Sequence, residues 1–359
     1  MLPRIPCFAI TPNSKCNFDK ISYTFAFMLI AKKTFKNIIA PAITYLGIER
    51  ILSKTSRHQN LILCFHGVSR LQSNINKRHM PFDQFEQLIK YLARHFEIVS
   101  VQDIFKSHSN SKKRIALTFD DGYVNNYTQV FPVIKQYKVP ATFYITTECF
   151  EISDYCLWPE LFDALKIGDV PQKVLFNGER FHFRNNTLVQ ERNGISIYEY
   201  VKNMGAERQG AFSEFINTYR IKERLKTIDP ELRSFCSKEQ IMEMAECELV
   251  EIGSHTHRHY NLSRVSPELM QEELSTSKRI LESITGKNIV SIGFPDGDYS
   301  MNVLTEAEKA GYHYQLAVSL YKPEDSQDVR LRSRYSISNS TSLAVNKILI
   351  NQHFQKSGF

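Results

Sequence analysis

The chain has 359 residues, is 42% hydrophobic and carries a formal net charge of +7. It can bury a sizeable core, either as one large α/β domain with insertions or as two smaller domains. Its Lys and Arg residues are scattered rather than clustered, so no nucleic-acid partner is expected. The lack of an apolar run of about 18 residues argues against a membrane-spanning helix.

The seven cysteines are odd in number and include no Cys-x-x-Cys pair. This pattern argues against a disulfide framework and against a cysteine-based zinc site, and it suits a reducing compartment. We therefore expect a cytoplasmic protein, located at the inner face of the membrane if its N-terminal segment binds there. Export is the alternative.

Residues 1–55 form an N-terminal extension whose role the sequence leaves open. Ile21–Ala31 has the length of a signal-peptide core, but Lys32 and Lys33 follow it in place of a small-residue cleavage site. The next segment, residues 35–54, is apolar and contains flanking lysines. It is either a helix on a membrane surface, which would make the protein a peripheral membrane protein, or a helix packed across the bottom of the barrel predicted below.

From residue 56 onward, short apolar segments alternate with helical patterns. Apolar residues at helical spacing behind Pro81 predict a helix over 81–95. Residues typical of helix ends predict two further helices. One begins at Ser266-Pro267 and ends at Gly286, and a shorter one within 302–312 ends at Gly311. The predicted strands are almost continuously apolar, and they are Leu61–Phe65, Glu97–Val101, Arg114–Phe119, Ala141–Thr146, Leu249–Gly253, Ile289–Phe294 and Tyr314–Leu320.

Apolar strands of this kind are typical of a parallel sheet that is buried on both faces. About seven of them, alternating with helices, predict an α/β fold in the form of a deformed (β/α) barrel. The segment from about 150 to 235 breaks the pattern. It contains polar loops and "QKVLFNGERFHFRNN", which predicts a hairpin with its turn at Asn177-Gly178. We interpret this segment as an α+β insertion that covers the active-site face.

Two adjacent carboxylates follow one predicted strand in "LTFDDGY". Asp120 and Asp121 would stand at the C-terminal end of that strand, which faces the active site in a barrel of parallel strands. A plain Asp-Gly turn explains the same residues. A catalytic use is also open, because one carboxylate can bind a metal while its neighbour accepts a proton.

Three histidines follow another predicted strand in "SHTHRH". His255 and His259 are four residues apart, with His257 between them. Two imidazoles and one carboxylate are a common ligand set for catalytic zinc, and this set leaves a position for water. A histidine cluster in a core or on a surface is the alternative for this segment alone. Because both segments follow parallel strands, we expect the aspartates and histidines at one rim, which favours a metal site.

In these segments the chain resembles the polysaccharide deacetylases, known as the NodB-homology domain or carbohydrate esterase family 4. "TFDDGY" and "SHTHRHYNL" are similar to the first two signature motifs of that family, and "SIGFPDGDYS" stands where the third belongs. "ILCFHGVS" and "VFPVIKQYKVPATFYITTE" resemble neighbouring family segments. The resemblance covers roughly residues 59–335 apart from the insertion, and it implies a NodB-type catalytic domain in residues 56–359.

The resemblance also implies roles for the matching residues. Asp121, His255 and His259 would bind a divalent metal, which would be Zn²⁺ or else Co²⁺ or Ni²⁺. Asp120 would be the general base. The remaining matches are His257 at a variable position outside the ligand set, Thr256 as a support of the histidine loop, and Tyr123 and Pro295 at the substrate.

The third motif departs from the family pattern Arg-x-Pro-aromatic-Gly. Gly293 stands at the Arg position and Asp296 at the aromatic position. The family's Arg orients the base aspartate, so a later arginine would have to replace it, and the candidates are Arg330, Arg332 and Arg334. The backbone N–H of Asp296 would still stabilise an oxyanion.

The general acid of the family is a histidine near the C-terminus, and this chain has no clean match for it. His66 ends the first predicted strand and therefore faces the same rim. It is the candidate acid, with a structural role in closing the first loop as the alternative.

The expected function is metal-dependent hydrolysis of the N-acetyl group of an amino sugar in a surface polysaccharide, an oligosaccharide or its precursor. An N-acetylated glycan is the expected partner. Two alternatives stay open. One is a catalytically inactive glycan-binding relative, which the missing motif arginine favours, and the other is a metal amidohydrolase acting on a non-sugar amide.

Overall fold

The computed structural model describes residues 35–54, 59–71, 76–106, 112–337, 339 and 341–356. Strands are numbered in chain order: β1 Asn60–Phe65, β2 Val68–Ser69, β3 Met80–Pro81, β4 Glu97–Ile98, β5 Arg114–Phe119, β6 Ala141–Ile145, β7 Lys173–Phe176, β8 Glu179–Arg184, β9 Thr187–Gln190, β10 Val250–Ser254, β11 Ser291–Gly293, β12 Tyr314–Ala317, β13 Leu331–Ser333 and β14 Tyr335–Ser336.

The α-helices of these described ranges alternate with the strands. They span Ala40–Tyr45, Glu49–Lys54, Phe82–His95, Val101–Phe105, Phe131–Tyr137, Trp158–Ala164, Ile197–Lys202, Arg208–Thr218, Ile221–Lys226, Lys238–Glu246, Pro267–Thr285, Met301–Lys309 and Leu343–Lys356.

Eight parallel strands form a nearly closed barrel in the order β13-β12-β11-β10-β6-β5-β1-β14, and β4 pairs with β5 at the side. Only Arg334 separates β13 from β14. One short segment therefore pairs with β12 on one side and with β1 on the other, and it brings the two ends of the sheet together. The predicted α/β barrel is confirmed. The closing segment was not among the seven predicted strands, because its sequence, LRSRYS, is polar rather than apolar.

The strand order places the two predicted motifs close together. β6 lies between β5 and β10 and pairs in parallel with both. Asp120 follows β5 and His255 follows β10. Because parallel strands end at the same edge, both segments emerge at one rim of the barrel, as do His66 after β1 and Phe294 after β11.

Aromatic side chains fill the space between the barrel and its helices. Phe119 stacks between Phe65 and Phe143, with ring centroids 5.1 and 5.0 Å apart, and Phe85 of the helix Phe82–His95 meets this stack edge-on. All four side chains are buried. Burial of each contributes about 1.5–3 kcal/mol. This packing fixes the ends of β1 and β5, and so the rim residues that follow them.

The insertion is an α+β unit with its own apolar core. Its sheet contains the antiparallel strands β7, β8 and β9. The predicted hairpin is confirmed, since Asn177 and Gly178 have φ values of 49° and 75°, as a type I′ turn requires. The unit leaves the barrel after the C-terminal end of β6 and returns before the helix Lys238–Glu246, so it lies on the rim side.

The described part of the N-terminal extension lies at the opposite end of the barrel. The helix Glu49–Lys54 packs against Leu343–Lys356, and Tyr91 Oη donates a hydrogen bond of 3.2 Å to the buried Glu49. Residues 1–34 lie outside the described residues, so the interpretation of Ile21–Ala31 stays a prediction. No helix of the described ranges is long and apolar enough to cross a membrane.

Candidate metal and catalytic site

Asp121, His255 and His259 form a buried cluster at the rim, with one donor atom of each lying within 4.8 Å of the others. Asp121 Oδ1 lies 3.6 Å from His255 Nε2 and 3.5 Å from His259 Nε2. Two of the three residues have left-handed backbone conformations, with φ of 76° at Asp121 and 56° at His259. Such conformations cost energy in non-glycine residues and are typical of functional sites.

The donor atoms of this cluster fit a divalent metal. Two ligands bound to one zinc ion at its usual bond lengths are roughly 3–3.5 Å apart, close to the separations seen here. Asp121 Oδ1 is buried and has no hydrogen-bond partner among the described residues. His255 Nδ1 lies 2.6 Å from the Gly293 carbonyl, which only accepts a hydrogen bond, so Nδ1 carries the proton and Nε2 keeps its lone pair for the cluster.

Asp120 is a second buried carboxylate beside this cluster. Its Oδ1 accepts a hydrogen bond of 2.6 Å from Arg334 Nη1, and its Oδ2 lies 3.9 Å from His255 Nε2. Burial alone would raise the pKa of Asp120, but the Arg334 guanidinium and His255 hold that pKa below its usual value. Asp120 is thus a positioned carboxylate that is ionised at neutral pH. Of the three candidate arginines, Arg334 is the one that contacts Asp120.

Gly293 explains how Arg334 reaches this position. A Cβ atom at residue 293 would lie 3.3 Å from Arg334 Nη1 and 3.2 Å from the Tyr144 ring. The guanidinium of Arg334 therefore fills the space in which a side chain at position 293 would start. The arginine that the family motif places at position 293 is supplied here by the segment that closes the barrel.

Buried polar contacts hold the histidine loop. Glu273 Oε2 accepts hydrogen bonds from the backbone N–H groups of His257 and Arg258, at 3.0 and 2.7 Å. The Thr256 N–H donates to Ser254 Oγ at 3.0 Å, and the Thr256 carbonyl accepts from the Thr147 N–H at 3.3 Å. Thr256 itself has a φ of 65°. Hydrogen bonds from the surrounding protein therefore hold the backbone of this loop.

The insertion contributes cations to the site. Arg208 Nη2 donates a hydrogen bond of 2.7 Å to the His259 carbonyl, and its guanidinium lies over the Tyr260 ring. Lys202 forms a 3.3 Å ion pair with Asp296 of the third motif. The insertion therefore helps to position the histidine loop.

Arg78 connects another part of the insertion to the metal cluster. Its Nη1 lies 3.2 Å from Asp121 Oδ2, and its Nη2 contacts the Tyr123 hydroxyl. Tyr123 Oη in turn donates a hydrogen bond of 2.7 Å to Glu160 Oε1. Because Arg78 holds Oδ2, the other oxygen of Asp121 is the one directed at the two histidines.

Tyr123 is placed differently from the sequence expectation. We expected it at the substrate, but its side chain is completely buried and its hydroxyl is engaged by Arg78 and Glu160. Its ring also stacks on Phe235 at 5.0 Å. The structure therefore gives Tyr123 the position of a support for Arg78 and Asp121 rather than that of a substrate contact.

The other predicted site residues lie around the same rim. His66 is half-buried near Asp121, and its burial lowers the pKa of the imidazole below the usual value. His257 lies outside the metal cluster, with Nδ1 2.9 Å from Thr147 Oγ1. Pro295 is buried next to Asp296, whose φ is 58°. The roles given to Pro295, His66 and the Asp296 amide stay predictions.

Sequence analysis did not identify Arg78, Arg208, Lys202 or Glu273 as site residues. None of them lies in a recognisable motif, and Arg208 is 51 residues from the carbonyl that it binds. Isolated charged residues, inside the insertion or outside it, carry no periodic signal. The role of a buried charged residue can be assigned only when the residues that it contacts are known.

Comparisons with known proteins identify the family of the chain. Residues 107–315, more than half of the chain, match the family model described as polysaccharide deacetylase. The Bacillus subtilis (strain 168) protein "Putative polysaccharide deacetylase YxkH" is 21% identical over 297 residues, which is 81% of this chain and 75% of that protein.

Two solved structures share the fold. The Streptococcus pyogenes deacetylase PplD in complex with acetate has a TM-score of 0.52 at 16% identity, and the match covers 83% of this chain and 99% of that one. IcaB from Ammonifex degensii has a TM-score of 0.51 at 18% identity, with 83% and 98% covered. At these identities the two structures show a common barrel architecture and no more.

Proposed function

Because the chain belongs to the polysaccharide deacetylase family, we propose that it hydrolyses the N-acetyl group of an amino sugar in a glycan, with a divalent metal held by Asp121, His255 and His259. One observation carries the proposal. A buried set of one carboxylate and two imidazoles stands beside a second buried carboxylate, Asp120, which has its own arginine partner.

A divalent metal bound by this set would lower the pKa of a water molecule and polarise the acetamide carbonyl. The contribution of the chain is to hold the ligands rigidly. Gly293 fixes the tautomer of His255, Arg78 fixes one oxygen of Asp121, and Arg208 fixes the loop of His259. The most suitable ions are Zn²⁺, Co²⁺ and Ni²⁺, which accept mixed imidazole and carboxylate ligands.

Asp120 acts as the general base in this proposal. It takes a proton from the attacking water, and Arg334 holds the carboxylate in one orientation while it does so. The reduced pKa of Asp120 keeps the carboxylate ready to accept a proton across the neutral pH range. A positioned base of this kind contributes typically 10²–10⁴-fold to the rate.

The backbone N–H of Asp296 stabilises the developing oxyanion, and Pro295 lies beside the acetyl group. His66 donates a proton to the leaving amine. His66 lies half-buried at the rim near Asp121. Because burial lowers the pKa of its imidazole, it must first take up a proton, and the Asp120 carboxyl supplies the one that it removed from the attacking water. The products are acetate and a free amino sugar.

The experiment measures acetate release from a panel of N-acetylated oligosaccharides, with Zn²⁺ and with a chelator, for the wild-type protein and for Asp120→Asn. We expect release that requires metal and that falls about 10²-fold or more in the variant. Metal binding without release from any sugar would instead support an inactive glycan-binding relative or an amidohydrolase for a non-sugar amide. The position of Arg334 weakens the first alternative, which depended on the missing motif arginine.

We further propose that the protein works in the cytoplasm, bound peripherally to the inner face of the membrane. In the N-terminal segment 35–54, Ile38, Tyr45, Leu46 and Ile51 expose 66%, 92%, 66% and 58% of their surface, and Lys36 lies in the same segment. Apolar side chains combined with lysine suit an anionic lipid surface. The free cysteines of the described ranges suit a reducing compartment.

Co-sedimentation with phosphatidylglycerol vesicles tests this location. We expect Tyr45→Ser/Leu46→Ser to reduce the bound fraction, whereas Leu175→Ser, which removes an exposed leucine of the insertion, leaves it unchanged. Equal binding by both variants would overturn the proposal for the N-terminal helices. Recovery of the mature protein outside the cytoplasm would overturn the location.

A further inference from the structure

A groove of about 1090 Å³ lies along the seam where β13 and β14 close the barrel, outside the metal cluster. Its walls come from the beginning of β1, the helix Val101–Phe105, the segment that follows β12, and residues 331–336. Its size is slightly above the range typical of small-molecule sites, roughly 300–1,000 Å³. Apart from Arg334, the described residues that line this groove have no role in the proposed deacetylation.

The charged residues that line the groove are all positive. Among the described residues that line it there are four cations and no aspartate or glutamate. The cations are Lys106, Arg114, Arg332 and Arg334. Two of them already have carboxylate partners, since Lys106 pairs with Asp103 and Arg334 pairs with Asp120. Arg114 and Arg332 therefore determine what the groove can bind.

Arg114 is buried, with 3% of its surface exposed, and its partners in the described ranges are all neutral. Its Nε donates to Asn60 Oδ1 at 3.0 Å, and its Nη1 donates to the Asp103 carbonyl at 3.2 Å. A buried guanidinium without a counter-charge is unfavourable. A bound anion would therefore supply the negative charge that Arg114 lacks among the described residues.

Arg332 has the same kind of partners. Its Nη1 donates to the carbonyls of Asp328 and Leu331, at 3.0 and 2.7 Å. Arg330, two residues earlier, makes ion pairs of 2.7 Å with both Asp328 and Glu308. Within the described ranges, Arg330 is therefore paired with carboxylates. Arg332, which lines the groove, has only carbonyl oxygens as hydrogen-bond partners.

The helix Val101–Phe105 brings the two guanidinium groups to one part of the groove. Arg114 binds the Asp103 carbonyl of this helix, and the Arg332 guanidinium lies 4.7 Å from the Phe105 ring centroid. Phe105 and Tyr335 also line the groove and provide apolar surface beside the cations. Guanidinium groups match the paired oxygens of carboxylates and phosphates, and aromatic rings pack well against sugar faces.

We propose that this groove binds an anionic sugar, with Arg332 and Arg114 holding its carboxylate or phosphate group. Phe105 and Tyr335 contact the sugar ring. The site lies outside the metal cluster and does not depend on the proposed function, because binding here requires neither the metal nor turnover. Arg334 is the residue that the groove shares with the catalytic rim, since it lines the groove and also holds Asp120.

Isothermal titration calorimetry on the full chain tests the proposal with trigalacturonate, glucose 6-phosphate and neutral maltotriose as probes. We expect at least one anionic probe to bind, with an affinity that falls as salt is added, and maltotriose to show no binding. The two anionic probes distinguish a carboxylate site from a phosphate site. In Arg332→Gln the dissociation constant of the bound anion should rise roughly 10-fold, because a charged hydrogen-bonded pair is lost.

Arg330→Gln is the matched control, because it removes the same charge two residues away and outside the groove. We expect its affinity to be close to wild type. Arg332→Lys, which keeps the charge without the planar fork, should give an intermediate affinity. Absence of binding by both anions, equal binding of maltotriose, or equal losses in Arg330→Gln and Arg332→Gln would overturn the proposal. Acetate release is measured separately, so a failure here leaves the proposed function standing.

Discussion

Arg334 Nη1 lies 2.6 Å from Asp120 Oδ1, although the two residues are 214 positions apart in the chain. The contact forms because Arg334 sits between β13 and β14, at the point where the barrel closes next to β1 and β5. The third motif of the family provides this arginine from position 293, where this chain has glycine. In this chain the arginine that contacts Asp120 comes from the segment that closes the barrel.

Arg334→Ala should reduce the rate of acetate release by roughly 10²-fold, because Asp120 loses the group that orients it. The double variant Arg334→Ala/Gly293→Arg should recover part of this loss. Removal of Arg334 frees the space that a side chain at position 293 needs, although the Tyr144 ring must still move by a few tenths of an ångström. Steady-state kinetics with a saturating metal concentration provide the measurement.

Arg330→Gln is the control for that series, since it lies on the same segment but pairs with Asp328 and Glu308. It should retain wild-type activity. If Arg334→Ala were as active as wild type, Arg334 would have no positioning role. Circular dichroism of each variant shows whether a loss of activity is a loss of folding.

Metal affinity should depend on His259 and not on His257. His259→Ala removes one of three ligands, and we expect a loss larger than the 10–100-fold that is typical when only an outer partner of a ligand is removed. His257→Ala should bind metal like the wild type, because His257 Nδ1 faces Thr147 instead of the cluster. Competition titration with a chromogenic chelator measures both. Equal losses in the two variants would contradict the ligand assignment.

The insertion should influence metal binding through Arg208. Arg208→Gln removes the hydrogen bond to the His259 carbonyl, and we expect metal affinity to fall about 10-fold, in the range for outer partners. Arg192→Gln, an exposed change elsewhere in the insertion, should have no effect. The same titration provides the readout. An unchanged affinity in Arg208→Gln would mean that the loop is held without the insertion.

Two glycines of the insertion should respond in opposite ways to substitution by alanine. Gly178 has a φ of 75° in the hairpin turn, so Gly178→Ala should destabilise the protein by about 1 kcal/mol. Gly210 lies exposed in the helix Arg208–Thr218 with open space around a new Cβ, so Gly210→Ala should stabilise it by about 0.5–1 kcal/mol. Urea unfolding curves measure both. Changes of the same sign would contradict the backbone argument.

The barrel and the core of its active site were predictable because their signals are local. Apolar strands such as Arg114–Phe119 and Ala141–Ile145 are visible as continuous runs, and the structure places both within one residue of the prediction. Strand polarity then determines that Asp121 and His255, which follow such strands, meet at one rim. The closing segment 331–336 lacked this signal, because it has alternating polar residues and is too short for a clear pattern.

The sequence by itself determined the fold class and predicted that Asp121, His255 and His259 meet at one rim, since both rest on runs or motifs of neighbouring residues. Only the tertiary structure selected Arg334 from three candidate arginines and showed that Arg78 contacts Asp121 and that Arg208 contacts the histidine loop. It also showed that the side chain of Tyr123, which was expected to contact the substrate, is completely buried. The physical reason is that an isolated charged side chain has no periodicity, and its role is defined by the distant residues that folding brings against it.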